Sequence, residues 1–291
     1  MIKYYLFKLL RRIDRLIPRW AAYLLCRVVS GVFYLFPSRT KANFRRNLAR
    51  VLSSQGQDLS GRHTRKEINR LIRMNFRHFA YYLIDFFRFA NLPPGHIPPM
   101  VEVTGREHID QALEKGKGLI GVTAHVGNWE LGGIVFSRLG YPINAIALSH
   151  QNTKLNRLFI RQRGLGGVKV IPVGHAAVDS LRALRANEVV VLLSDRDVSE
   201  KGTQAEFFGR PAAIPRGPAV LAVRSGAGVL FGYFVRHSFH RYQVIFRPLL
   251  EWDRSLPEKE QEEEVIRLLV KEMERCILSH LDQWYMFYRI W

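Results

Sequence analysis

From about residue 101 onward the chain alternates between short, β-rich apolar runs and stretches with helical spacing. The runs cover residues 118–124, 143–148, 168–173, 189–194 and 228–235, and most are separated by a helical stretch. A continuous apolar run of about four to eight residues suits a strand covered on both faces, as parallel strands are by their crossover helices. The pattern predicts an α/β fold with a largely parallel central sheet flanked by helices. In open sheets of this kind ligands collect outside the carboxyl ends of the strands. His125 and Asp195 fall there, each just after an apolar run.

Before residue 100 the pattern is different. Apolar residues recur at helical spacing over 40–53 and 64–92, parted by the polar turn 54–61 and closed by Pro93, Pro94, Pro98 and Pro99. The density of Phe76, Phe79, Tyr81, Tyr82, Phe86, Phe87 and Phe89 predicts core or membrane-facing packing. Two parts are expected: residues 1–99, a basic and apolar helical region that associates with a membrane, and residues 100–291, an α/β catalytic domain.

Charge supports that division. The 44 Lys and Arg against 25 Asp and Glu give a net charge of +19, which calls for a polyanionic partner, nucleic acid or an anionic membrane face. Residues 1–50 hold twelve of the cations and one acid, Asp14. Within them Lys3, Lys8, Arg11, Arg12, Arg15 and Arg19 alternate with large apolar residues, a pattern suited to anionic headgroups. Residues 20–36 are mostly apolar but contain Arg27, Ser30 and Gly31. They are short for a span, so a monotopic, partly embedded segment is expected. Cys26 and Cys276, the two cysteines, give no disulfide framework. The cytoplasmic face of a plasma membrane fits these features, with monotopic or single-anchor attachment.

The segment Gly121-Val122-Thr123-Ala124-His125-Val126-Gly127-Asn128-Trp129-Glu130 puts a histidine at a strand end and an acid in the first turn of the next helix. Acyl transfer to an alcohol uses such a pair: neutral imidazole takes the hydroxyl proton, and a carboxylate holds the ring's tautomer and stabilises the imidazolium. Backbone N–H groups near Gly127 and Asn128 would favour an oxyanion. A His-x4-acid spacing is expected about once by chance in this composition, and only His125 has it. Spacing alone therefore leaves a structural histidine as plausible as a catalytic one.

The surrounding motifs add to this reading. Gly105-Arg106-Glu107-His108 followed by residues 118–132 resembles the bacterial lipid A (lauroyl and myristoyl) acyltransferases and the related phosphatidylinositol mannoside acyltransferases, part of the lysophospholipid acyltransferase-like superfamily. Further similar stretches, in order, are Asn47-Leu48, residues 156–163, Val170-Ile171-Pro172, Ser194-Asp195-Arg196-Asp197, Phe207-Phe208-Gly209, Pro215-Arg216-Gly217-Pro218 and Gln283-Trp284-Tyr285. The resemblance implies that His125 is the general base and that Glu130 or Asp195 is its acidic partner, the choice between them left open. It also implies that Arg163, with Arg161 second, binds phosphate or the acyl donor, with Arg196 and Asn128 as further substrate-binding candidates. The donor would be acyl-CoA or acyl-ACP, and the acceptor a hydroxyl of a membrane glycolipid or phospholipid. No metal or redox cofactor is implied, because a thioester already carries an activated leaving group.

Two other classes compete. A lipid thioesterase or hydrolase would share the histidine, but no G-x-S-x-G elbow is present. A basic non-catalytic membrane or nucleic-acid binder fits the charge. The aromatics, however, gather in apolar helices, and no helix-turn-helix, RRM or zinc pattern appears, so no nucleic-acid partner is expected.

Overall fold

The computed structural model describes residues 16–90, 99–198, 202–239 and 241–291. The basic amphipathic pattern of residues 3–15 lies outside them. Among the described residues three helices come first: α1 (Arg19–Leu35), α2 (Arg39–Ser54) and α3 (Arg62–Phe89). The alternating part follows as β1 (Val101–Thr104), α4 (Arg106–Leu113), β2 (Leu119–Thr123), α5 (Trp129–Arg138), β3 (Ile143–Ala147), α6 (Thr153–Leu165), β4 (Val168–Pro172), α7 (Ala176–Arg185) and β5 (Val189–Leu193). The hairpin β6 (Thr203–Phe207) and β7 (Arg210–Ile214), α8 (Gly217–Ser225), β8 (Gly228–Arg236), β9 (Tyr242–Leu249) and α9 (Glu258–Ser279) complete it.

All five apolar runs are strands. They join β1 and β9 in a seven-stranded sheet of order β1-β9-β8-β2-β5-β3-β4. The pairs β8·β2, β2·β5, β5·β3 and β3·β4 are parallel, and β9 is antiparallel to β8. The sheet is therefore largely parallel, as the pattern predicts. Alternate residues of β2 point to opposite faces: Ile120 and Val122 enter one core with Phe231 and Met273, while Leu119 enters another with Leu131, Ile134 and Phe246.

The long helix α3 serves both cores, with Ile72 in the first and Phe86 and Phe87 in the second. Polar groups tie α2 and α3 to the closing segment and α6 to α3. Asn47 and Asn75 donate to the carbonyls of Met286 and Trp284, and Gln162 donates to those of Phe86 and Phe87. Each such side chain is buried, where an amide without a partner would cost on the order of 1–3 kcal/mol.

α1 rests on α3 through Ala22, Tyr23, Cys26 and Ile84. Its opposite side is bare: Trp20, Leu24, Val28, Val32, Phe33 and Leu35 are all exposed, Trp20 to 63% and Leu35 to 75%. No single described helix is long and apolar enough to cross a membrane. α1 and α2 together reach that length and composition, but they meet at a bend of 86°. α2, entered through a Ser38 cap on the Lys41 N–H, carries Arg39, Lys41, Arg45, Arg46 and Arg50 and no acid.

Candidate active site

β2 and β5 are parallel neighbours in register, Thr123 opposite Leu193, and the Ser194 N–H continues the ladder to the Thr123 carbonyl. Two residues past each strand, His125 and Asp195 are therefore brought side by side. His125 Nδ1 lies 2.6 Å from Asp195 Oδ1, and the His125 backbone N–H donates to Asp195 Oδ2 at 2.9 Å. The Asp195 side chain has no exposed surface, whereas the His125 side chain is 28% exposed. Burial by itself would push the Asp195 carboxyl up, but the imidazole, the backbone N–H and the Trp284 indole together hold it below the usual carboxylate range.

The loop between β2 and α5 is shaped by Gly127, at φ +63°. A Cβ there would stand 1.8 Å from the Phe234 carbonyl oxygen, so only glycine lets the loop lie against β8. This close approach corrects one expectation about the oxyanion. The Gly127 N–H donates to the Gln283 carbonyl and the Asn128 N–H to the Phe234 carbonyl, so neither points at substrate. Asn128 Oδ1 caps the Leu131 N–H, and its Nδ2 reaches the Tyr82 carbonyl, so this buried side chain builds the start of α5. The donors left at the helix start are the N–H groups of Trp129 and Glu130.

Glu130 does not meet His125. Its carboxylate is held by Arg163 of α6, with Nη2 at 2.5 Å and Nε at 2.9 Å, both side chains mostly buried. Of the two acids the sequence left open, Asp195 is the one against the imidazole. Arg161 is exposed on the same helix, and the Arg196 guanidinium lies 3.4 Å over the Tyr288 ring. Trp129 stands edge-on to His125, with ring centroids 5.1 Å apart. Beneath it, between α5 and the sheet, is an apolar pocket of about 50 Å³ lined by Thr123, Gly132, Phe136, Leu230 and Phe246 among others. A larger open groove of about 800 Å³ lies between α2, the β6–β7 hairpin and α9; it mixes Arg50, Arg210 and Lys271 with Glu206 and Glu274 and does not include His125.

One contributor was missed from the sequence. The Trp284 indole N–H donates to Asp195 Oδ2 at 3.0 Å, and no spacing to either partner announces it.

A parallel α/β sheet with a His–Asp pair at adjacent strand ends defines an α/β protein with its candidate site at the carboxyl edge. The family model for the bacterial lipid A biosynthesis acyltransferases matches residues 1–291, and the chain belongs to that family. Among curated proteins it is similar to a phosphatidylinositol mannoside acyltransferase of Mycolicibacterium smegmatis, 28% identical over 69% of this chain and 64% of the relative. A phosphatidylinositol mannoside acyltransferase of Mycobacterium tuberculosis is 30% identical over 69% of this chain and 63% of its own length. The lipid A biosynthesis palmitoleoyltransferase of Escherichia coli is 26% identical over 65% and 62%. The similarity thus spans a little under two thirds of each of these relatives.

Proposed function

We propose that the protein transfers a fatty acyl group from a thioester, acyl-CoA or acyl-ACP, to a hydroxyl of a membrane glycolipid of the phosphatidylinositol mannoside or lipid A type. The observation that carries this reading is the pairing of a partly exposed His125 ring with a wholly buried Asp195 carboxylate. Asp195 holds Nδ1 protonated, which leaves the Nε2 lone pair for the acceptor hydroxyl. As that oxygen attacks the thioester carbonyl, its proton passes to Nε2 and negative charge gathers on the carbonyl oxygen. The N–H groups of Trp129 and Glu130 at the start of α5 are the donors assigned to that charge. Collapse forms the ester C–O bond, breaks the C–S bond and returns the proton from Nε2 to the thiolate.

The other residues take supporting roles. Glu130 and Arg163 brace α5 against α6, Asn128 caps α5, and Arg161 and Arg196 meet phosphate or the donor. The apolar pocket beside Trp129 is suited to methylene groups of an acyl chain. Residues 1–99 associate with the membrane and residues 100–291 carry the chemistry. The exposed apolar side of α1 enters the cytoplasmic leaflet of a bacterial plasma membrane monotopically, and the α2 cations lie along its anionic headgroups.

The test supplies purified protein with radiolabelled acyl-CoA or acyl-ACP and a membrane lipid extract. Label is expected in a glycolipid, and His125→Ala is expected to abolish it while keeping the wild-type melting temperature. Wild-type turnover in His125→Ala defeats the mechanism. Release of free fatty acid without lipid labelling would instead make the protein a hydrolase.

A further inference from the structure

The closing segment 283–285 touches the candidate site at three points, two on the His125 loop and one on Asp195. The Gly127 N–H donates to the Gln283 carbonyl at 2.9 Å, and the Tyr285 N–H donates to the His125 carbonyl at 2.7 Å. Val126 and Trp284 thereby form an isolated antiparallel bridge, which puts the Trp284 side chain beside Asp195. Its indole N–H donates to Oδ2, the oxygen that also takes the His125 N–H, while Oδ1 faces the imidazole.

The segment is itself held in place. Gln283 Oε1 and Nε2 bond both backbone groups of Arg236, and Asn75 Nδ2 donates to the Trp284 carbonyl at 2.8 Å. Trp284 is completely buried, edge-on to Phe44 and against Phe208.

We propose that Trp284 is a positioning residue for the reaction, its indole N–H fixing the Asp195 oxygen that the imidazole does not use so that the other oxygen stays on Nδ1. The inference rests on the general-base reading of His125. Two fixed N–H donors on Oδ2 stop the carboxylate from rotating about its Cβ–Cγ bond. They also draw charge away from Oδ1. Without the indole donor, Oδ1 carries more charge, favours the imidazolium, and leaves less of the free base at a given pH.

The test compares the wild type with Trp284→Phe and with a chain carrying β-(3-benzothienyl)alanine at 284, whose sulfur replaces the N–H within a ring of nearly the same shape. Acyl transfer is followed against pH. Both variants are expected to lose about tenfold to a hundredfold in kcat, the range for a lost orienting bond one shell out. KM for both substrates should stay within about twofold, and the acid limb of kcat should move up by about half a pH unit or more. The benzothienyl variant keeps the packing, so it answers the question even where Trp284→Phe fails to fold. Wild-type kcat in that variant, or a lowered kcat with an unmoved acid limb, overturns the proposal when His125→Ala is inactive. Activity surviving in His125→Ala removes the general-base reading instead, so the two failures are distinct.

Discussion

Asp195 and Asp85 are both buried carboxylates that gather several donors, and their surroundings differ in one decisive respect. Asp85 accepts from the hydroxyls of Tyr23 at 2.5 Å and Tyr242 at 2.7 Å, pairs with Arg236, and has Arg19 Nε at 3.6 Å. Both guanidiniums lie over aromatic rings, Arg236 at 4.7 Å from the centroids of Tyr23 and Tyr242. Burial first and Asp85 second push the two phenols far above their ordinary range, so no group around Asp85 changes charge near neutrality. The cluster fastens α1 and α3 to β8 and β9. Asp195 instead faces an imidazole with part of its surface open. A buried acid holds structure when its partners keep their protons, and is suited to proton transfer when one partner exchanges a proton with the outside.

The contrast makes predictions of graded size. Asp195→Asn is expected to cut kcat by about 10³–10⁴, to shift the acid limb of the pH profile downward, and to leave far-ultraviolet circular dichroism unchanged; retained kcat would place both acids in the structural class. Asp85→Asn is expected to cost about 3–5 kcal/mol in denaturant unfolding, because two buried guanidiniums lose their counter-charge. The protein that stays folded should keep its kcat. Glu130→Gln belongs with Asp85: it is expected to lose about 1–2 kcal/mol of stability by weakening the hold on Arg163, with no movement of the pH limb.

At neutral pH the smallest effect concerns a second imidazole. Burial lowers His78 to about 4, with Asp282 opposing and Arg236 and Arg77 adding to the shift. Because its folded value lies below the unfolded one, its contribution is complete above the ordinary histidine range and is lost as pH falls toward 4. His78→Gln should therefore flatten the decline of the unfolding free energy between about pH 6.5 and 4, by up to about 3 kcal/mol. An unchanged slope would mean that this imidazole is not buried in its neutral form.

The strands most open to sequence reading were those buried on both faces. Residues 118–124 and 189–194 are nearly unbroken apolar runs, and they became β2 and β5. β9 escaped because Gln243 and Arg247 interrupt it, and β1 because four residues with Glu102 among them carry too little pattern. The same limit governed the site. His125 and Asp195 could each be placed at a strand end, yet choosing Asp195 over Glu130 required the β2·β5 register, which joins residues far apart in the chain. Helical spacing did bring Glu130 into the first turn of α5, where a cation on α6 claimed it. Asp85 gave no signal, since its partners come from α1, β8 and β9. Trp284 stood out only within the Gln283-Trp284-Tyr285 stretch, with nothing in the sequence to pair it with Asp195.

Because residues 283–285 clasp the His125 loop, the order of synthesis matters to when the site can exist. The strand-end histidine leaves the ribosome many seconds before Trp284 is made, at about 5–20 residues per second. Until then Gly127 and the His125 carbonyl lack their partners, and Oδ2 of Asp195 lacks its indole. A nascent chain already displays the apolar side of α1 while its site is unfinished. If α1 meets a membrane as proposed, contact can precede competence, and an interrupted chain ending before Trp284 would be expected to dock without acting.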